Sequence, residues 1–226
     1  MGKIINLEEL DKAVKNGVKN CKEPNLTSKY VDEDGNLKST NKNLIIGVCG
    51  KSGSGKSTVS QMLKEKYDAA YLEIDKVGHE VYKHPKVMEA LILAFGEEVV
   101  ENGLVDRKKL GDIVFSNRNK MTELSDATWY YMSKDIDYFL RDNEDKVIIL
   151  DWLLLPKTNY FHKCDIKILL DIPYEERLKR AMIRDGITEE KFKLRDDASI
   201  EYNEDDFDVV IKGGSKEEIR KRLYKI

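Results

Sequence analysis

Cysteine is scarce. The three in 226 residues, Cys21, Cys49 and Cys164, form no CxxC pair and sit beside no histidine cluster, which excludes a disulfide framework and a structural zinc site. An excess of positive charge is also missing. Lysine and arginine number 39 against 42 aspartates and glutamates, a net charge of −3, and a pI near 5.8 argues against a nucleic-acid partner. Long apolar runs are absent too. The amino-terminal stretch MGKIINLEELDK has no signal-peptide core, and Asp151 interrupts VIILDWLLL, so no stretch approaches the roughly 20 apolar residues of a membrane helix. The expectation is a cytoplasmic protein with reduced thiols and no membrane partner.

What is present is a hydrophobic fraction of 41% and a charged fraction of 36%. The second exceeds the roughly 25% of average domains and points to a folded chain with heavily charged helix faces. Residues 1–43 form an amino-terminal extension and linker. LEELDKAVKNGV has the spacing of a short amphipathic helix, and the polar, turn-rich stretch from Lys22 to Asn43 follows. One domain, 44–226, takes up the rest.

Within that domain LIIGV is a short β-branched run ahead of a glycine-rich loop, STVSQMLKEKY has helical spacing, and AAYLEID reads as a second strand ending at Asp75. PKVMEALILAFG, RKKLGDIVFSNRNKMTEL and TWYYMSKDIDYFLRDN read as three helices with no strand signal. KVIILDWLLL and DIKILLDIP are buried strands, EERLKRAMIRDG is a basic helix stopped by Gly186, and FDVVIKGG is a last strand before a helix capped by Ser215. Strands apolar on both faces and alternating with helices predict an α/β fold with a mainly parallel sheet between helical layers.

Gly50-Lys51-Ser52-Gly53-Ser54-Gly55-Lys56-Ser57 fits G-x-x-x-x-G-K-[ST] between a strand and a helix, the context that makes this phosphate-binding pattern specific. Glycines let successive amides turn inward as an anion cradle, and the helix N-terminus adds partial positive charge. Lys56 reaches the outer phosphates of ATP, and the Ser57 hydroxyl suits Mg²⁺; Thr58 completes the loop. About 180 residues after the linker suit a compact phosphotransferase better than a motor. Asp75 at a strand end can orient and deprotonate an acceptor hydroxyl, or cap the next helix. Asp151 has the position of a Walker B carboxylate for Mg²⁺. Arg177, Arg180 and Arg184, at steps of three and four, share one helix face that can neutralise phosphoryl charge or pair with Glu175 and Glu176.

These residues resemble the dephospho-CoA kinases, P-loop enzymes that phosphorylate the ribose 3′-hydroxyl of dephospho-CoA. The resemblance runs from about Leu44 to Leu223 through IGVCGKSGSGKST, EIDKVGHEVY, FGEEVVENGLVDRKKLGDIVF, DIPYEERLKRAMIRDGITEEKFKLR and VVIKGGSKEEI. It implies a P-loop kinase fold with a helical acceptor-binding insertion and a helical lid. It also implies that Asp75 is the catalytic aspartate, that Gly50 to Thr58 hold ATP, that Lys56, Arg180 and Arg184 act on the transferring group, and that Arg107 and His79 lie near the acceptor. A surface cation and an exposed helix residue are the plainer readings of Arg107 and His79. The chain departs from the family at Asp151-Trp152-Leu153-Leu154-Leu155-Pro156-Lys157, in lacking a His-Pro pair in LSDATWYYMSKDI, and at Ser199. A nucleoside, a nucleotide or a modified nucleic acid therefore stays open as the alternative acceptor, a nucleotide-binding regulatory module as the alternative class, and the oligomeric state is undecided.

Overall fold

The computed structural model describes residues 44–115 and 118–213. The expected helices at 7–18 and 215–224 and the extension 1–43 lie outside the described residues. The chain divides into two compact units. One comprises the described residues up to Leu72, Asn143–Arg180 and those from Ile200 onward; the other comprises Glu73–Asp142 and Ala181–Ser199.

The first unit is built on a five-stranded sheet. Its strands are β1 (Ile45–Gly50), β2 (Ala70–Glu73), β5 (Ile148–Asp151), β6 (Ile166–Leu170) and β7 (Val209–Ile211), in the order β2-β5-β1-β6-β7. β1 runs parallel to β5 and β6, and β6 runs parallel to β7. All six residues of β1 and all four of β5 are buried, which is why both read as unbroken apolar runs. The chain fills one side of β1 with β2 and β5 and then crosses to β6 and β7. The carboxyl end of β1 is thus a topological switch point, where open α/β sheets bind ligands.

Helix α1 (Lys56–Tyr67) covers this sheet with Val59, Met62 and Leu63, which join Ile46, Val48, Ile149, Ile168 and Val209 in one core. The unit also holds α6 (Asn159–Lys163) and the first turns of α7 (Tyr174–Asp185). Gly186, at φ 63°, stops α7 where the sequence places the stop.

The second unit contains α2 (Ile74–Val81), α3 (Pro85–Phe95), α4 (Arg107–Val114), α5 (Arg118–Asp142), α8 (Glu189–Asp197) and a hairpin of β3 (Val100–Glu101) and β4 (Leu104–Val105). Its core gathers Val87, Leu91, Phe95, Val99, Leu110 and Val114. Three expectations need correction. Strand β2 ends at Glu73, so Asp75 lies in the first turn of α2 and does not terminate a strand. The segment RKKLGDIVFSNRNKMTEL is not one helix. α4 starts where the Asp106 side chain accepts from the Lys108 and Lys109 amides and ends where Val114 is buried. Its remainder merges with TWYYMSKDIDYFLRDN into the 25-residue α5, since no glycine or proline interrupts residues 118–142. Along α5, Thr128, Met132 and Ile136 are buried at steps of four. The β3–β4 hairpin was not expected at all. Its signal was Asn102-Gly103, at φ 53° and 76°, the pair that two-residue hairpin turns favour.

Ile149 is fully buried in the sheet core. Ile149→Ala should lower unfolding stability by about 2–5 kcal/mol, read as an earlier denaturant midpoint.

Candidate active site

The sequence-predicted residues fall in both units. In the sheet unit the loop from Gly50 to Gly55 joins the buried end of β1 to the start of α1. Gly55 caps α1 in the left-handed region at φ 92°, with the Arg180 Nη1 3.8 Å from where a Cβ would sit as its nearest neighbour. Gly53, at φ 78°, has no room for a side chain because a Cβ would run into the backbone carbonyl of Arg177. Two left-handed glycines thus turn successive amides one way, the arrangement that makes an anion nest.

Within the loop the Ser54 amide donates to the Lys51 carbonyl at 3.2 Å, and the Ser52 and Ser54 carbonyls find donors on α7. Arg177 Nη1 donates to the Ser52 carbonyl at 3.4 Å and Arg177 Nε donates to the Ile172 carbonyl at 2.9 Å. Arg180 Nη1 donates to the Ser54 carbonyl at 3.3 Å, while its Nη2 meets Glu176 Oε2 at 2.9 Å. Arg177, Arg180 and Arg184 therefore do not act as one solvated cationic face. Arg177 is 5% exposed, Arg180 divides itself between the loop and Glu176, and Arg184 lies in the other unit. There Asp185 grips Arg184 through both oxygens at 2.6 and 2.7 Å. That pairing, more than any other influence, raises the pKa of Arg184 and lowers that of Asp185.

Lys51, a loop residue, directs its ammonium to Glu201 Oε1 at 2.6 Å. Lys56 is the first residue of α1, Ser57 beside it is exposed, and the Thr58 amide donates to the Gly55 carbonyl at 3.1 Å. Ser54 is 2% exposed, and its hydroxyl has no hydrogen-bond partner among the described residues. An orphaned buried hydroxyl in a loop of inward amides fits a phosphate-bearing nucleotide, whose oxygens accept such donors. Asp151 ends β5 level with Val48, two residues before Gly50. It is 1% exposed, and its Oδ2 accepts from Ser60 Oγ at 3.1 Å and Tyr71 OH at 3.0 Å. Sequence reading found the carboxylate and missed both hydroxyls, which come from elements far from it in the chain. A buried carboxylate and the Ser57 hydroxyl are hard oxygen donors of the kind Mg²⁺ takes alongside phosphates. No cluster of three or more acidic, histidine or cysteine side chains able to hold a metal occurs among the described residues.

In the second unit Asp75, His79 and Tyr82 lie four and three residues apart along the α2 segment and so share a face. Arg107, the first residue of α4, places Nη1 2.9 Å from His79 Nδ1. Guanidinium only donates, so Nδ1 accepts and the imidazole is neutral with its proton on Nε2. Burial and then the Arg107 charge hold the His79 pKa below its ordinary 6.5, against the opposing pull of Asp75. Burial, with the Asp75 charge behind it, pushes the Tyr82 phenol up to about 12. The structure thus brings Asp75, His79 and Arg107 into one electrostatic group. Tyr82 is the member that sequence reading missed, although the spacing i, i+4, i+7 marked it. Asp75 is not an N-cap either: Glu73 holds that position without a side-chain bond, and Asp75 lies in the first turn, where a carboxylate suits the helix dipole. Burial raises the thiol pKa of both Cys49 and Cys164, the latter to about 12, so both are ordinary buried thiols.

Residues 44–216 match the family model described as dephospho-CoA kinase. The dephospho-CoA kinase of Aquifex aeolicus is 37% identical over 188 residues, covering 80% of this chain and 94% of that one. The crystal structure of a Thermus thermophilus protein superposes with a TM-score of 0.67 at 26% identity, covering 81% of this chain and 95% of that one. The dephospho-CoA kinase from Campylobacter jejuni superposes with a TM-score of 0.55 at 25% identity, covering 80% of this chain and 94% of that one. A strand-loop-helix turn at the carboxyl edge of a mainly parallel sheet thus agrees with these matches, and the chain belongs to the dephospho-CoA kinase family.

Proposed function

We infer that the protein transfers the γ-phosphoryl group of ATP to the ribose 3′-hydroxyl of dephospho-CoA, giving CoA and ADP. The observation that carries this reading is the family match across residues 44–216, on a chain whose phosphate nest is built as ATP requires. In the transfer a bond forms between the 3′ oxygen and the γ-phosphorus while the bond to the β–γ bridging oxygen breaks. The hydroxyl proton passes to the Asp75 carboxylate and on to solvent. The amides of the 50–55 loop and the Lys56 ammonium hold the phosphates in line, and the Ser54 hydroxyl gains an acceptor there. Arg184, and Arg180 from its place on the Ser54 carbonyl, supply positive charge as negative charge builds on the transferring group.

Mg²⁺ is assigned to the Ser57 hydroxyl and the Asp151 carboxylate; when bound it neutralises phosphate charge. Ser60 and Tyr71 fix the orientation of that carboxylate, as outer partners of metal ligands do. His79 holds Arg107 for the acceptor: an arginine orients anionic groups such as a pyrophosphate through paired donors. We place the protein in a reducing cytoplasm, a reading that the buried thiols Cys49 and Cys164 support.

An ADP-release assay with dephospho-CoA, nucleosides and nucleoside monophosphates tests the assignment. Turnover with dephospho-CoA is expected, and turnover with the other acceptors alone refutes it. Asp75→Asn should lower kcat by about 10²–10⁴ with ATP binding intact. A pH series adds a second check. Because His79 is neutral in the fold and its pKa lies below the ordinary 6.5, proton uptake as pH falls from 6.5 toward that lower value removes the acceptor for Arg107. The KM for dephospho-CoA should rise over that range. His79→Asn keeps an acceptor near the Nδ1 position and should flatten the rise; an unchanged slope refutes the role of His79.

A further inference from the structure

Among the described residues Arg177 is the buried cation that the transfer mechanism leaves without a task. Burying a guanidinium is costly unless its donors are met, so its contacts indicate its purpose. It lines a cavity of about 250 Å³ together with Lys51, Asp171, Tyr174, Glu201 and Tyr202 as well as apolar residues of the β6 end. Its Nε is spent on the Ile172 carbonyl at 2.9 Å, just past the end of β6, and its guanidinium lies 5.8 Å over the ring of Tyr174. These two contacts fix the side chain and aim Nη1 at the Ser52 carbonyl, 3.4 Å away. The main chain of the same residue meets the next loop residue, since the Arg177 carbonyl occupies the space a Cβ on Gly53 would need. One residue therefore touches two consecutive peptide units of the phosphate loop, by side chain at Ser52 and by backbone at Gly53.

We propose that Arg177 is a positioning residue for ATP, holding the Ser52 carbonyl so that the Gly53 amide on the other side of the same peptide stays turned the opposite way, toward the phosphates. The peptide plane is rigid, so tying down an outward carbonyl also fixes the amide on the other side of that peptide. Without the tie, the 52–53 peptide is free to rotate, and ATP binding then has to bear the cost of ordering it. The proposal rests on the reading that ATP binds this loop. It adds that the strength of binding is set from behind the loop by a side chain that never touches the nucleotide.

The test is ATP affinity by calorimetry on the full chain with Arg177→Met and Arg177→Lys, alongside kcat and both KM values and the melting temperature. Methionine keeps the apolar stem and loses every donor, and lysine keeps one ammonium that reaches a single carbonyl. Arg177→Met is expected to bind ATP about tenfold more weakly, with Arg177→Lys between it and the parent. The KM for ATP should rise with the Kd, while the KM for dephospho-CoA and the kcat at saturating ATP hold. If Arg177→Met does not fold, Arg177→Lys decides alone. Parental ATP affinity in every variant that folds, with only the melting temperature lowered, overturns the proposal and leaves Arg177 a structural brace. Failure of the kinase reading looks different: the parent then binds ATP without phosphorylating dephospho-CoA, while the affinity loss in the Arg177 variants persists.

Discussion

A peptide unit cannot point its amide one way without pointing its carbonyl the other, and the phosphate loop of this protein is governed by that constraint. In residues 50–55 the left-handed Gly53 and Gly55 bend the backbone in the manner of an anion nest. The carbonyls turned away must be met as well, because buried polar groups left unmet are costly. α7 supplies the donors: Arg177 and Arg180 take the Ser52 and Ser54 carbonyls. The rest of the sheet unit serves the same constraint. A fully buried β1 delivers the loop at a fixed point, and α1 closes it with a helix N-terminus.

The second unit solves a different problem, that of keeping ionisable groups in chosen charge states. His79 stays neutral because burial and a guanidinium both oppose its protonation, so it serves Arg107 as an acceptor. Tyr82 keeps its proton through burial beside the Asp75 charge. The carboxylate of Asp75 shares the α2 face with this neutral ring and neutral phenol, and the Arg107 guanidinium at the start of α4 is held against the ring. The segment from Asp151 to Lys157 contributes buried Trp152 and Leu155 to the sheet unit and takes the Tyr202 hydroxyl on the Leu153 carbonyl at 2.9 Å. It is a packed element in which only Lys157 is well exposed.

Local chemistry was readable along the chain wherever its cause was local. The strand-loop-helix around Gly50–Ser57, the stop at Gly186 and the apolar runs of β1, β5 and β6 follow from periodicity and from residues that only certain backbones tolerate, so sequence alone determined the α/β fold, the phosphate loop and the candidate carboxylates. Where neighbours in space decide, the reading failed. Asp75 moved from a strand end into a helix, one expected helix split between α4 and α5, and the Asn102-Gly103 hairpin went unnoticed. The three arginines of α7 look equivalent in a helical repeat. The tertiary structure separated them, sending Arg177 behind the loop and Arg180 to the Ser54 carbonyl, while Glu176 beside Arg180 and Asp185 beside Arg184 are neighbours along the helix itself. The physical reason is that a hydrogen bond needs its partner within about 3 Å, and for the loop carbonyls that proximity is created by packing between segments far apart in the chain.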